Sequence, residues 1–207
     1  MPNLISSNNL LSLLLSDPYA FIVIFGGIVL AIGLHEAAHC YMADYLGDPT
    51  PRSQGRLTLN PLAHLDPLGT IAILLTNFGW GKASPFDPYN LKDPKCDTAI
   101  IALAGPASNI LVAVLLSILL HTLSNLSNLS ILGVLSFLIG LNINLAIFNL
   151  IPVPPLDGSK ILGLFLSHET ALKYQRNNNI LFLIPLLLVA PMIVSPISSF
   201  ILRFLLP

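Results

Sequence analysis

The stretch GLHEAAHCYMADYL at residues 33–46 decides how the rest of the sequence is interpreted. His35 and His39 are four residues apart, so on a helix they lie on one face, where both imidazoles can bind one metal ion. Glu36 lies about 100° further round the helix, from where its carboxylate can contact a water bound to that metal. In this His-Glu-x-x-His arrangement the imidazoles bind zinc and the glutamate acts as general base. The alternative is a pair of core histidines whose polar groups are satisfied by neighbouring residues.

The composition indicates an integral membrane protein. Of the 207 residues, 54% are hydrophobic and only 9% are charged, whereas about a quarter of the residues in a soluble domain are charged. Residues 19–34 carry no charge. Two imidazoles and a carboxylate within a spanning helix cost free energy, so we expect them to be functional. The net charge is −1, and no basic cluster favours a nucleic-acid partner.

Four segments are apolar and long enough to cross a bilayer: residues 19–46, 98–121, 131–151 and 180–206. The fourth contains Pro185, Pro191 and Pro196, which predict a kinked or partly irregular helix. Nothing in the pattern indicates a second domain, so we expect one membrane-embedded domain over residues 1–207.

Three shorter segments complete the predicted fold. Residues 4–15 favour an interfacial helix within an N-terminal segment, residues 1–17. Residues 56–59 alternate polar and apolar side chains like a strand. The apolar run at residues 68–79 is too short to span and suits a re-entrant segment or a buried strand. The predicted fold class is therefore an all-α polytopic membrane protein, with about four transmembrane helices and a small membrane-associated β element between the first two.

Lysine and arginine are concentrated in two of the connections between the spans. Residues 47–97 contain five, residues 121–130 contain none and residues 152–179 contain three. Basic connections remain in the cytoplasm, so we expect the first and third connections there and both termini on the other side. His39 is seven residues from Leu46, about 10 Å along a helix. The active site is therefore expected inside the membrane but nearer its cytoplasmic face, in a bacterial plasma membrane.

A zinc ion bound by two histidines needs a third protein ligand and an open position for water. Asp157 is the favoured candidate, because it follows the third span and the prolines before it exclude a helical approach. The distribution of lysine and arginine also places it on the same side of the membrane as the histidines. Pro-Pro-Leu-Asp-Gly is equally a good turn sequence, so a plain turn remains the alternative.

Three separated motifs resemble the site-2 protease family of intramembrane metalloproteases. They are HEAAH in the first span, AGPASN at residues 104–109 in the second, and Asn149 followed by PVPPLDG at residues 152–158 after the third. NPLAHLDPLGT at residues 60–70 and FGWGK at residues 78–82 are similar to the family's region between its first two core helices. The resemblance covers about residues 33–160 and implies a minimal form without a PDZ or CBS domain.

Residue by residue, the resemblance implies one zinc ion bound by His35, His39 and Asp157. It implies that Glu36 activates the water that attacks the peptide bond. Asn149 corresponds to an asparagine that lies near the metal and holds the peptide carbonyl or its developing oxyanion, a role with a clear electrostatic basis.

Two further polar residues have weaker predicted roles. The motif that contains Asn109 suggests close helix packing beside the site, with the Asn109 amide either contacting the site or filling a packing notch. His64 either supports a metal ligand or lies beside the substrate, or, as loop histidines commonly are, it is structural. His121 and His168 are assigned no role.

The expected function is that of an intramembrane zinc-dependent endopeptidase, which cleaves transmembrane segments of single-span membrane proteins in regulated intramembrane proteolysis. The expected partners are these substrates and the lipid bilayer, and the oligomeric state stays open. One alternative is a catalytically silent or metal-binding membrane protein of the same fold that binds partner helices. Another is a metal transporter, which would need a polar path across the membrane, whereas here the metal-binding residues gather at one side.

Overall fold

Helices account for the regular structure of the residues described by the computed structural model, which are 10–124, 129–176 and 183–207. In chain order they are α1 (Leu10–Ser16), α2 (Pro18–Tyr45), α3 (Thr50–Ser53), α4 (Pro67–Thr76), α5 (Pro94–Leu123), α6 (Leu129–Asn149), α7 (Asp157–Leu162), α8 (His168–Arg176) and α9 (Leu183–Leu205). Short 3₁₀ turns lie at Pro61–His64, Pro88–Asn90 and Gly163–Phe165.

Four of these helices, α2, α5, α6 and α9, are long and apolar enough to cross a membrane. They confirm the four predicted spans, with ends that differ by a few residues. Helix α9 continues through Pro191 and Pro196, so the predicted irregularity is not seen between Leu183 and Leu205. It is also the least buried of the four. The start predicted at residue 180 and the first half of the predicted N-terminal helix, residues 4–9, lie outside the described residues, and the second half lies in α1.

An Asp-Pro pair begins three of the helices. Asp17, Asp66 and Asp93 are the N-caps of α2, α4 and α5, and each accepts a hydrogen bond from a main-chain N–H of the first turn. The proline that follows each of them occupies the first helical position, where its fixed φ suits the helix and its missing N–H has no intrahelical acceptor. This pairing explains why α5 begins at Pro94, four residues before the predicted start of the second span.

The β element predicted at residues 56–59 is wrong. The described residues contain no strand, and between α2 and α5 they form one isolated antiparallel bridge, from Leu65 to Gly81. The reason is that a side chain takes the hydrogen bond that a neighbouring strand would have supplied. The carbonyl oxygen of Thr58 accepts from Nε2 of His64 at 2.9 Å. The polar and apolar alternation therefore reflects a loop folded around His64.

The apolar run at residues 68–79 forms the short helix α4 rather than a strand. Its 10 residues extend about 15 Å, half the thickness of a bilayer core. The helix ends at Asn77, which has a φ of 61° and whose Oδ1 accepts from the main-chain N–H of Leu10 at 3.0 Å. Helix α4 is thereby joined to α1 and packs through Ile73 against α2.

Helices α2, α5 and α6 form the centre of the bundle, since α5 packs against both of the others and α9 packs mainly against α6. After α6 the chain turns back over residues 150–156, and Asp157 is the first residue of α7. Gly158 permits this return, because a Cβ at that position would lie only 2.6 Å from the carbonyl oxygen of Ile151. The return brings Asp157 back to the middle of α2.

Candidate metal centre

Three ligand atoms from two helices meet at one point of the bundle. They are Nε2 of His35, Nε2 of His39 and Oδ2 of Asp157, and every pair of them is separated by 3.1 Å. Helix α2 supplies both imidazoles and the first residue of α7 supplies the carboxylate. All three residues are 5% exposed. The structure thus brings together the three residues that the sequence predicts as metal ligands.

The partners of His35 determine which of its nitrogens carries the proton. Nδ1 lies 2.7 Å from Oδ1 of Asn109. The amide nitrogen of Asn109 faces two acceptors, the carbonyl oxygen of Ala31 at 3.3 Å and Oδ1 of Asn142 at 2.9 Å. The side of the Asn109 amide that faces His35 is therefore its oxygen, and Nδ1–H of His35 donates to it. In the neutral ring, Nε2 then presents a lone pair to the centre.

His39 is held in the same tautomer by the main chain. Its Nδ1 lies 2.7 Å from the carbonyl oxygen of Ile101 in α5, and a carbonyl oxygen can only accept. Nδ1–H therefore donates, and Nε2 presents a lone pair. Histidine ligands of zinc commonly donate their second ring N–H to a carbonyl or amide oxygen in this way.

With both rings neutral, the centre consists of three electron-pair donors, an arrangement that a bound cation stabilises. Two imidazoles and one carboxylate form a ligand set used by catalytic zinc sites. Ligand atoms about 2.1 Å from a tetrahedral zinc ion lie about 3.4 Å from one another, close to the 3.1 Å observed. The residues therefore fit zinc.

The second oxygen of Asp157 is held by a lysine. Nζ of Lys160, one turn further along α7, lies 3.3 Å from Oδ1 of Asp157. The positive charge of Lys160 beside it favours the ionised form of the Asp157 carboxyl. The carboxylate is therefore ionised at neutral pH, as a metal ligand must be.

Glu36 lies at the same cavity as the three ligand atoms. Its Oε2 accepts a hydrogen bond of 2.8 Å from Oγ of Ser84, which also lies 2.7 Å from the main-chain oxygen of Glu36. Ser84 is in the loop before α5 and was not predicted as a site residue. Ser84 follows Glu36 by 48 positions, and the sequence gave no signal of this contact.

The cavity has a volume of about 720 Å³ and is lined mainly by apolar side chains. Its walls come from α2, α4, α6 and α9 and from the loop before α5, and they include Ile28, Ile32, Ile73, Phe78, Leu145 and Phe148. Polar groups of His35, Glu36, His39 and Asp157 are also exposed in it. The space therefore suits an apolar peptide segment whose polar backbone reaches these groups.

The other predicted site residues differ in whether they contact the metal centre or line its cavity. Asn109 contacts His35 directly, as described above. Asn149 lines the cavity and its Nδ2 donates to the carbonyl oxygen of Leu145 at 2.9 Å. His64 is fully buried in the loop between α3 and α4 and is not among the residues that line the cavity.

The motif Gly-Pro-x-x-Asn on α5 places Gly105 against both imidazoles. A Cβ on Gly105 would lie 2.7 Å from Cε1 of His35 and closer still to the ring of His39. Four residues later in the same helix, Asn109 binds His35. The motif therefore acts directly on the histidine pair, by leaving room for the rings and by holding one of them.

Comparisons with known proteins agree with this geometry. The family model described as "Peptidase family M50" matches residues 120–192. The chain is 36% identical over 182 residues to "Putative zinc metalloprotease YwhC" of Bacillus subtilis, covering 84% of this chain and 81% of that protein. It is 31% identical over 155 residues to "Putative zinc metalloprotease Rip2" of Mycolicibacterium smegmatis, covering 72% of this chain and 60% of that protein. No solved structure gives a significant match.

Proposed function

Because this chain belongs to peptidase family M50, the site-2 protease family, we propose that it is an intramembrane zinc-dependent endopeptidase. Its proposed substrates are single-span membrane proteins, which it cleaves within their transmembrane segments in regulated intramembrane proteolysis. The observation that carries the proposal is the triangle of three lone-pair atoms with sides of 3.1 Å, opening on an apolar cavity inside a bundle of membrane-spanning helices.

His35, His39 and Asp157 are the proposed ligands of one zinc ion. When bound, the metal supplies a Lewis acid that activates water and polarises the scissile carbonyl. Hydrogen bonds from the histidine Nδ1–H groups to Asn109 and to the main chain keep the rings in the orientation that binding needs. Lys160 holds the carboxylate oxygen that faces away from the histidines.

Glu36 is the proposed general base. Its carboxylate takes a proton from the attacking water and returns it to the leaving nitrogen. The hydroxyl of Ser84 shares its one hydrogen between Oε2 and the main-chain oxygen of Glu36, and this contact restricts the direction in which the carboxylate points. Ser84 itself comes from the loop before α5, so that loop orients the base.

Asn149 is the proposed donor to the substrate carbonyl. An amide nitrogen carries two hydrogens, and the bond from Nδ2 to Leu145 uses one of them, so the second can bind a carbonyl oxygen in the cavity. A helix hides its carbonyls in internal hydrogen bonds. The substrate must therefore unwind locally before its backbone can reach Asn149 and Glu36.

We place the catalytic centre nearer the cytoplasmic face of a bacterial plasma membrane. His39 lies six residues before the end of α2 at Tyr45, about 9 Å along the helix. Residues 47–97, which follow that end, contain five lysine and arginine residues, as expected of a cytoplasmic connection. Water can then reach the buried site from the nearby cytoplasmic side.

Replacing Glu36 with glutamine tests the assignment. Purified protein in detergent is incubated with a single-span membrane protein, with and without a zinc chelator, and zinc is measured on the same samples. We expect Glu36→Gln to retain one zinc per chain while cleavage falls by at least 100-fold, because general-base catalysis contributes about 10²–10⁴-fold. Glu169→Gln is the matched control, since Glu169 lies on α8 and pairs with Lys173, and it should cleave normally.

The outcomes separate the proposed enzyme from its alternative. Cleavage by the Glu36→Gln variant would contradict the general-base role. If the unmodified protein binds zinc but cleaves no member of a panel of single-span proteins, it is instead a catalytically silent, metal-binding protein of the same fold.

A further inference from the structure

The ring of His35 is the last member of a hydrogen-bonded chain that begins on another helix. We propose that Asn142 of α6 is a positioning residue, which keeps the proton of His35 on Nδ1 and so leaves Nε2 available to the metal. The inference rests on the metal centre proposed above, and it concerns a residue whose described side-chain hydrogen bonds go to Asn109 and Leu138.

The first step of the chain fixes the Asn142 amide. Its Nδ2 donates to the carbonyl oxygen of Leu138 at 2.9 Å, one turn back on the same helix. Because the nitrogen is used there, Oδ1 is the end that points towards α5, where it accepts from Nδ2 of Asn109 at 2.9 Å. The orientation of one amide thus determines that of the next.

The second step passes that orientation to the imidazole. With its nitrogen facing Asn142 and Ala31, Asn109 can present only Oδ1 to His35. If the Asn109 amide were turned over, its N–H would face Nδ1 and the ring would have to carry its proton on Nε2. A protonated Nε2 cannot bind zinc, since the ligand is the neutral nitrogen with its lone pair.

The turned-over state is excluded by two acceptors, of which Asn142 provides one. In that state Oδ1 of Asn109 would face the carbonyl oxygen of Ala31 and Oδ1 of Asn142. Asn109 is 0% exposed and Asn142 is 3% exposed, so water has little access to replace the lost bonds. An unsatisfied buried polar group costs about 1–3 kcal/mol. Removing the Asn142 acceptor therefore removes about half of what holds the Asn109 amide in place.

This series of hydrogen bonds joins the three central helices at the metal centre. Helix α6 supplies Asn142, α5 supplies Asn109 and α2 supplies His35. The same α6 leads through the turn at residues 150–156 to Asp157. Helix α6 therefore affects two of the three ligands. It leads to Asp157, and its Asn142 amide determines the tautomer of His35.

The test measures Zn²⁺ affinity of the full chain in detergent, by competition with a chromophoric chelator, together with the thermal stability of the metal-free protein. Asn142→Leu has a similar volume and no acceptor, and we expect it to bind Zn²⁺ about tenfold more weakly, the lower end of the range for residues that support metal ligands. Asn142→Asp keeps an acceptor towards Asn109 and should remain within about threefold of the unmodified protein.

The matched control is Ser136→Ala. Ser136 lies on the same helix and donates to the carbonyl oxygen of Leu132. The variant therefore removes a similar hydrogen bond but leaves those of Asn142, Asn109 and His35 in place, and its Zn²⁺ affinity should not change. Equal affinities for Asn142→Leu and the unmodified protein would overturn the inference. Equal losses in Asn142→Leu and Asn142→Asp would also overturn it, because they would indicate packing alone. Absence of Zn²⁺ binding in the unmodified protein would instead overturn the metal centre itself.

Discussion

His35 and His64 are both buried histidines, but they lie in two regions that use them differently. In the loop before α4, Arg56 donates to Nδ1 of His64 at 3.3 Å, and Nε2–H of His64 donates to the carbonyl oxygen of Thr58 at 2.9 Å. Both ring nitrogens of His64 therefore have a protein partner, although Nε of Arg56 beside it has none. In the helical bundle, Nδ1–H of His35 is likewise satisfied, but its Nε2 faces a carboxylate oxygen and a second imidazole nitrogen.

The difference shows that burial alone does not mark a metal-binding histidine. His64 is the more deeply buried of the two, at 0% exposed against 5% for His35. What distinguishes His35 is that its hydrogen bonds leave an electron pair facing other electron pairs. A bound cation stabilises such a group, whereas each ring nitrogen of His64 already has a protein partner.

The largest effect is expected from Gly105→Ala, which acts on the bundle region alone. A methyl group would enter the space that both imidazoles occupy, so the rings must move and the triangle of ligand atoms must open. We expect Zn²⁺ affinity to fall by about 10- to 100-fold, with a parallel loss of cleavage. Chelator competition on the purified protein measures the Zn²⁺ affinity, and an assay with a single-span substrate measures cleavage.

Gly140→Ala provides the control for that experiment. A Cβ at Gly140 of α6 would meet only Leu202, at an ordinary 4.0 Å. Zn²⁺ affinity should stay unchanged, and thermal stability should stay equal or rise by about 0.5–1 kcal/mol, because alanine is favoured over glycine inside a helix. Normal Zn²⁺ affinity in Gly105→Ala would show that the centre tolerates a displaced histidine pair.

A smaller effect, of a different kind, is expected from His64→Leu. The substitution leaves the carbonyl of Thr58 without its donor and removes one acceptor from the buried Arg56, so we expect stability to fall by about 1–3 kcal/mol. Zn²⁺ affinity should change less than twofold, since His64 donates its bonds within the loop. A tenfold loss of Zn²⁺ affinity with normal stability would instead assign His64 to the site.

His121→Leu is the comparison variant for stability. His121 is exposed near the end of α5, and its Nδ1 donates to the carbonyl oxygen of Ser117 in its own helix. Its replacement should change the free energy of unfolding by less than about 0.5 kcal/mol. A large loss of stability in His64→Leu would then be specific to the position of His64.

The sequence predicted the bundle region better than the loop region, for a physical reason. The His35 and His39 pairing follows from the helical period, and the four spans follow from apolar runs that a bilayer requires. The prolines before Asp157 favoured its approach to the histidines but left a plain turn as the alternative, and the family resemblance supplied its role as a ligand. These are local properties of the chain, and the structure brings the three residues together.

The parts that could not be predicted depend on contacts between distant residues. Arg56 was assigned to a strand because the pattern around it alternates, yet its guanidinium is buried against the carbonyls of Lys82 and Ala83. The contact from Ser84 to Glu36 and the chain from Asn142 to Asn109 likewise join segments separated by 48 and 33 residues. A buried amide in an apolar span was a signal in principle, since such groups need partners, but it did not name them.

An effect of similar size, confined to neutral pH, concerns Asp48, which shows how the loop region satisfies a buried carboxylate without a metal. Its oxygens accept from the main-chain N–H groups of Thr50 and Asp87, the Thr50 hydroxyl and the Asn90 amide. Burial raises the pKa of Asp48, but the bonds from Thr50, Asn90 and Asp87 outweigh it and lower the pKa below its ordinary value. The stability that the carboxylate contributes is therefore complete above the unfolded pKa of about 3.9 and is lost as the pH falls through the lower, folded value.

Asp48→Asn should be less stable than the unmodified protein by about 1–3 kcal/mol at pH 7, because an amide nitrogen would face N–H donors. That gap should narrow below about pH 4, where the unmodified protein also loses its charge at this position. Thermal unfolding of both proteins in detergent from pH 7 downwards, with zinc removed so that the metal centre contributes equally, measures the gap. A gap that stays constant over this range would mean that the charge of Asp48 adds nothing to the loop, and that its shape alone is what the four donors recognise.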